Sequence, residues 1–276
     1  MTSLISKKQF SMIFSSADAN NPINKSADGT IFSIITDQPI AFPQNSFDCT
    51  AEVVSATVWN SVNNVSVKLG NNKFYVHYGV DGTLYTVTLS DGLYSVSSLN
   101  TQISKSLVNQ GLPADVINIS GNQSTQKIVL SFPYIGSFAD FNGINSCRVL
   151  LGFDSRNVPI TPTTVTNESH EGDSVAAFNN IESFLIKTDL INGSIPTNNI
   201  SDQTIALIPI TSRTGDQIIY NPLNPSRVSA DNLRGLGRNA ATFRLTNERN
   251  EPAATGEAYS LTIVFRYSEF VNRVVN

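Results

Sequence analysis

The feature of this sequence that most restricts its fold is the recurrence, from end to end, of short runs rich in Val, Ile, Phe, Thr and Tyr between clusters of Gly, Asn, Asp, Ser and Pro. Branched and aromatic side chains suit a pleated, half-buried surface, and the separators are residues that turn a chain. The pattern therefore predicts antiparallel strands in a sandwich or barrel. The runs are Gln9–Ser15, Ile31–Asp37, Cys49–Asn60, Val65–Leu69, Lys73–Tyr78, Leu84–Leu89, Val116–Ser120, Lys127–Phe132, Ile181–Leu190, Thr204–Ile210, Thr242–Thr246 and Tyr259–Tyr267. In the last, Leu261, Ile263 and Phe265 alternate with Ser260, Thr262 and Arg266, as a strand with one buried face requires.

Asp81-Gly82 and Asp91-Gly92 supply the positive φ of tight turns and bracket a hairpin around Leu84–Leu89. One segment breaks the β pattern. From Ser97 to Leu107 the apolar residues Leu99, Ile103 and Leu107 fall four apart, after a serine N-cap and before Gly111, which predicts a single amphipathic helix. One helix among so many strands is an elaborated all-β architecture. Asp154–Asp173 and Tyr220–Arg238, rich in Pro, Thr, Ser and Asn, read as long exposed loops. The whole of 1–276 is expected to form one elaborated domain, with a sub-sheet boundary expected within 154–173. No period of about 20 to 50 residues points to a propeller or solenoid.

Composition narrows the function. Hydrophobic residues make up 40% of the 276 positions and charged residues only 14%, against roughly 25% charged in an ordinary soluble domain. Ser, Thr, Asn and Gln must therefore cover much of the surface, and such a surface meets a neighbour with few charges to desolvate. A net charge of −4, with Lys7-Lys8 and the Arg234/Arg238 pair as the nearest approach to basic clusters, gives no footprint for nucleic acid. Cys49 and Cys147 lie far apart in β-like segments and are expected to be buried free thiols. Neither a signal-peptide pattern nor an apolar run of membrane-spanning length occurs, so synthesis in the cytosol is expected.

Chemistry finds little purchase. Two cysteines and two histidines, well separated, do not make a zinc ligand set. His77 alternates within Phe74–Tyr78 as an ordinary strand residue, and His170, beside Glu168 and Glu171, sits in a polar loop where such neighbours collect without a catalytic role. Glu52, Glu182, Glu248 and Glu257 lie in or beside strands and read as surface acids rather than a facing glycosidase pair. Gly235-Leu236-Gly237-Arg238 lacks the strand-to-helix setting of a phosphate loop. Trp59, by strict alternation, shares a face with Val53, Ser55 and Thr57 opposite Val54, Ala56 and Val58, and is expected to be packed in a core or against a neighbouring subunit. No catalytic, cofactor-binding or metal-binding residue is expected.

The order of particular segments adds a resemblance. Phe10–Ser16, Asn21-Pro22-Ile23-Asn24 and Pro39-Ile40 come first, then Glu52–Asn64 with its Trp and Asn-rich turn, then Gly92-Leu93-Tyr94-Ser95 before the helix. Leu151-Gly152-Phe153, Ile181–Leu190, Ile208-Pro209-Ile210, Phe243–Asn247, Gly256-Glu257 and Phe265-Arg266-Tyr267 follow. In this order, from about Lys8 to Tyr267, the chain resembles the jelly-roll capsid proteins of polinton-, adintovirus- and virophage-like DNA viruses. The resemblance implies an antiparallel jelly-roll sandwich and a structural subunit of an icosahedral capsid, located in the virion. Its partners would be copies of itself, as a pentamer at the vertex, and other capsid proteins. The tails, Met1–Lys7 and Ser268–Asn276 with Phe270, Val271, Val274 and Val275, are expected either to reach neighbours as arms or to fray. The alternatives are a trimeric double jelly-roll facet protein and a carbohydrate-binding β-sandwich or spike, whose sugar platform would be Trp59 or the tyrosines Tyr75, Tyr78 and Tyr94.

Overall fold

A computed structural model describes residues 4–17, 22–178, 181–195 and 203–271. In chain order the strands begin with β1 (Leu4–Ser15), β2 (Pro22–Lys25), β3 (Ile31–Ile40) and β4 (Phe47–Trp59). Next come β5 (Lys73–Tyr78), β6 (Thr83–Thr88), helix α1 (Val96–Asn109), β7 (Asn118–Gly121), β8 (Ile128–Phe132), β9 (Phe138–Asp140), a one-turn helix α2 (Arg148–Leu151), β10 (Asn157–Val158) and β11 (Glu168–Glu171). The chain continues through β12 (Ser183–Thr188), β13 (Thr204–Pro209), β14 (Gln217–Tyr220), β15 (Val228–Ser229), β16 (Arg238–Asn247) and β17 (Ser260–Val271).

These elements fall into two compact units, one of residues 1–62 with 181–276 and the other of 63–180. The expectation of one domain with a boundary within 154–173 differs from this division. Residues 154–173 run inside the second unit, where β10 and β11 pair with β9 and β8. The physical reason for two units is two separate apolar cores.

The first unit is a jelly roll. Leaving aside the short β2 and β15, its eight strands pair first with last (β1·β17), second with seventh (β3·β16), third with sixth (β4·β14) and fourth with fifth (β12·β13), all antiparallel. That nesting is a long hairpin rolled on itself. Rolling adds the contacts β17·β4 and β12·β16, producing sheet A in the order β1-β17-β4-β14 and sheet B in the order β13-β12-β16-β3-β2. The inward positions are apolar and the two sheets meet through aromatic rings. Phe14 of β1 lies 4.7 Å from Phe243 of β16, and Phe32 of β3 lies 5.1 Å from Tyr259 just before β17. Tyr259 spends its hydroxyl on the Thr30 carbonyl inside this core, as a buried phenol must.

Every predicted run but Val65–Leu69 contains a strand, whereas β2, β9, β10, β11, β14 and β15 lie outside the predicted runs, β10 and β11 within the expected loop at 154–173 and β15 within that at 220–238; two further departures are instructive. Residues 65–69 form a turn, not a strand: Val65 makes a single bridge to Gly92, after which the Asp91 carboxylate accepts the Val67 N–H and Ser66 Oγ accepts the Leu69 N–H. Side-chain acceptors have outcompeted the ladder there. In β4 a bulge at Val54 breaks the alternation, since Thr262 pairs with Ser55 while Ile263 pairs with Val53. Val53, Ala56 and Val58 consequently point inward, and Ser55, Thr57 and Trp59 outward.

The second unit packs α1 over a four-stranded sheet, β10-β9-β5-β6, and a three-stranded one, β11-β8-β7, around its own core. Leu99, Ile103 and Leu107 of α1 are buried as their spacing predicts. The N-cap is Ser95, which forms a capping box with Ser98. At the other end Gly111 (φ +85°) lets its own N–H reach the Val108 carbonyl and that of Leu112 the Leu107 carbonyl. A side chain at Gly111 would strain this left-handed cap.

Buried Asn64 fastens the point where the chain passes into and out of the second unit. Its Nδ2 donates to the carbonyls of Tyr94 (2.7 Å) and Phe178 (3.0 Å), and its Oδ1 accepts the Tyr94 N–H (2.8 Å). Asn64→Ala leaves these backbone groups without partners and is expected to lower unfolding free energy by roughly 2–4 kcal/mol, read from urea denaturation. Cys49 and Cys147 are both free and buried, and burial pushes the Cys147 thiol up to about 12. Neither should react with iodoacetamide at pH 8 in the native protein, and both should react in denaturant; mass spectrometry of the alkylated chain distinguishes the two results.

Candidate assembly surface

The outer face of sheet A follows from the inner one by alternation. With Phe14, Leu261, Ile263, Ala56, Val58 and Ile218 turned into the core, the residues between them form the exterior. Reading across the register, Ile219, Thr57, Ser260 and Ser15 make one row; Ser55, Thr262 and Ile13 make the next. Ser55 Oγ donates to Thr262 Oγ1 at 3.0 Å. Ile13 and Ile219 are 78% and 70% exposed. Trp59 lies on this face, half-buried and paired in register with Gln217. It is therefore outside the apolar core of its own unit. None of these positions carries a charge.

Charge gathers on this face toward one end, where Lys7, Asp48, Arg227 and Arg266 line one depression. Glu52, 2% exposed, receives two guanidinium groups: Arg266 Nε donates to Oε1 at 2.7 Å and Arg227 Nε to Oε2 at 3.0 Å. Arg266 Nη2 also lies 2.6 Å from Oε1, and its other terminal nitrogen contacts Gln9. A carboxylate this dry is tolerable only with its lone pairs filled, and the fork geometry of arginine fills them. Glu52 is thus not the surface acid that its sequence neighbourhood predicts, because nothing local announces that Arg227 and Arg266 converge on it. Beyond this cluster β1 and β17 continue as a ladder out to Leu4 and Val271, and Phe270 stacks on Phe47 at 4.6 Å. The described parts of the tails thus pair with each other; residues 1–3 and 272–276, with Val274 and Val275, lie outside the described residues.

The other residues weighed for chemistry are dispersed. His77 Nδ1 donates to the Gly82 carbonyl at 2.8 Å while its ring stacks on Phe138 at 4.1 Å, and His170 Nε2 is 2.7 Å from Glu168 Oε1 on β11. Glu248 accepts the N–H groups of Glu182 and Ser183 at 3.3 and 3.4 Å, and Glu257 is exposed. Among the described residues no three His, Cys, Asp or Glu side chains gather as a metal site. Gly235 donates its N–H to the Phe42 carbonyl in the turn that leads to β16, a structural contact. Tyr75 and Tyr94 place their hydroxyls on the carbonyls of Ile144 and Ser90, and Tyr78 stacks edge-on with Tyr134. These rings take up separate positions and form no shared platform.

Glu52→Gln removes the charge that two arginines share. The expected loss is about 1–3 kcal/mol, less than for a fully buried pair because Arg227 and Arg266 stay partly in water. Glu52→Gln combined with Arg227→Gln should lose less than the sum of the single changes, as measured by a double-mutant cycle in chemical denaturation.

No protein family and no curated protein matches this chain by sequence. By structure it is similar to the crystal structure of the mavirus penton protein, with a TM-score of 0.51 and 12% identity, over 96% of this chain and 100% of that one. The nested eight-strand pairing and this full-length likeness agree: the chain is an all-β protein with a jelly-roll fold.

Proposed function

We propose that this chain is a structural subunit of an icosahedral viral capsid and that it closes the vertex as a homopentamer. The observation that carries the reading is the likeness of fold along nearly the whole chain, both units included, to a protein described as a penton. The outer surface of sheet A adds a physical argument. A ring needs a head-to-tail contact between two different patches, and the outer face of sheet A is suited to be one of them. Sheet A presents hydroxyls, Ile13, Ile219 and Trp59. Packing against the part of this face around Ile13, Thr57 and Ile219, where no charge stands, removes water from few charges, so modest hydrogen bonds and apolar contacts are sufficient to hold it.

On this reading the protein acts in the virion, after synthesis in the host cytoplasm, with copies of itself and other capsid proteins as partners. It needs no cofactor, catalytic centre or contact with nucleic acid. The facet alternative calls for two jelly rolls in one chain. The described strands of the second unit instead make a sheet of four and a sheet of three with a helix, which favours the vertex.

Light scattering after size-exclusion chromatography, across a concentration series, measures the assembly directly. A pentamer supports the vertex; a trimer would move the protein to the facets, and a monomer at every concentration would count against self-assembly. Ile13→Arg and Ile219→Arg, at exposed positions of sheet A, should leave the unfolding midpoint of the separated subunit within about 0.5 kcal/mol of the parent. Each should weaken association by at least about tenfold, or 1.4 kcal/mol.

A further inference from the structure

The outer face of sheet B is hollowed. A cleft of about 800 Å³ opens over β3, β12 and β16, with Ile31, Lys187, Asp189, Arg244, Thr246 and Asn250 among its described lining. Two cations stand in register here, since Lys187 of β12 pairs directly with Arg244 of β16, and Arg244 with Ile31 of β3. Asp189 is the one carboxylate in the described lining, and it is turned elsewhere. Its Oδ1 accepts the Thr242 N–H at 2.9 Å and its Oδ2 lies 3.8 Å from Arg238. Lys187 donates to the Asn250 side-chain oxygen. Arg244 is exposed and, among the described residues, has no ion-pair partner.

A second, independent observation lies one step along β16. Thr246, on the same face as Arg244, is only 8% exposed, and its Oγ1 has no hydrogen-bond partner. Buried hydroxyls are rarely left so, because the lost hydration is not recovered. The cleft thus offers an unpaired guanidinium fork and an orphaned hydroxyl within a volume that suits a ligand of several groups. Ile31 and Pro252 supply apolar lining, which a small oxyanion would leave unused.

We propose that this cleft binds an acidic segment of another polypeptide, with the segment's carboxylate held by Arg244 and a further polar group of it meeting Thr246 Oγ1. Guanidinium matches a carboxylate in two parallel hydrogen bonds. The described lining holds no aromatic ring on which a sugar would stack, which favours peptide over glycan. The inference goes beyond the assembly role and does not rest on it, because the site belongs to one subunit.

The test uses the purified full chain on an array of capped peptides with Glu or Asp at the centre, beside the same array carrying Gln or Asn. Capture should require the acid and fall at least about tenfold with Arg244→Gln, an exposed change that leaves the fold intact. Thr246→Val should weaken capture several-fold while raising the unfolding temperature, since it removes an unsatisfied group; the higher temperature shows that the weaker binding is not misfolding. Equal capture of the amide array, or undiminished capture by Arg244→Gln, would overturn the proposal. So would binding confined to inorganic phosphate or to sialyllactose, each titrated separately.

Discussion

The antiparallel ladder between β1 and β17 is the contact on which the first unit depends. It holds Leu4 against Val271 and Ser15 against Ser260, joining the two ends of the sequence in one continuous register. A jelly roll is a nested hairpin, so its outermost pair is also the one with the greatest loop to close. That closure costs entropy which grows slowly with length, and the cost is offset here by inward rings: Phe10 stacks on Phe265 at 5.0 Å and Phe14 reaches across to Phe243. Because β17 is central in sheet A, it holds β1 on one side and β4 on the other. Losing its register would disturb three strands of that sheet together.

The same logarithmic dependence explains how residues 63–180 can be placed between the third and fourth strands. A connection of that length adds little closure cost if the inserted chain folds on its own core. It does so around Leu99, Ile103, Leu107 and the inward residues of β5 and β8. Asn64 then keeps the two ends of the insertion in contact through Tyr94 and Phe178. The strands of the roll do not have to span the inserted length.

Function follows from what the sheets leave outside. Sheet A shows hydroxyls and a few apolar side chains, with its one described buried acid neutralised by Arg227 and Arg266. Sheet B shows a charged cleft whose arginine has not been matched from within. The two sheets thus leave surfaces of different character on one barrel.

Much of this was legible in the residues. Alternation in Tyr259–Tyr267 and fourfold spacing in α1 report burial directly, because side-chain direction in strands and helices follows from local geometry. Strict alternation in Cys49–Asn60 put Val53 on the wrong face because a bulge is made by two strands, and β4 cannot register it without β17. Residues 65–69 have strand-like composition but are held in a turn by Asp91 and Ser66, one of them distant in sequence. The long loop at 154–173 hides β11, whose half-buried positions are Glu168 and His170 and whose exposed ones are Ser169 and Glu171, so that no apolar alternation marks it.

The sequence by itself determined the all-β class, most strands, the single long helix and the scarcity of charge, because each of these depends on a residue and its near neighbours. Only the tertiary structure decided the division into two units, the bulge at Val54, the convergence of Arg227 and Arg266 on Glu52, and the pairing of Lys187 with Arg244. These depend on which distant segments share a sheet, and that is set by the packing of the whole roll.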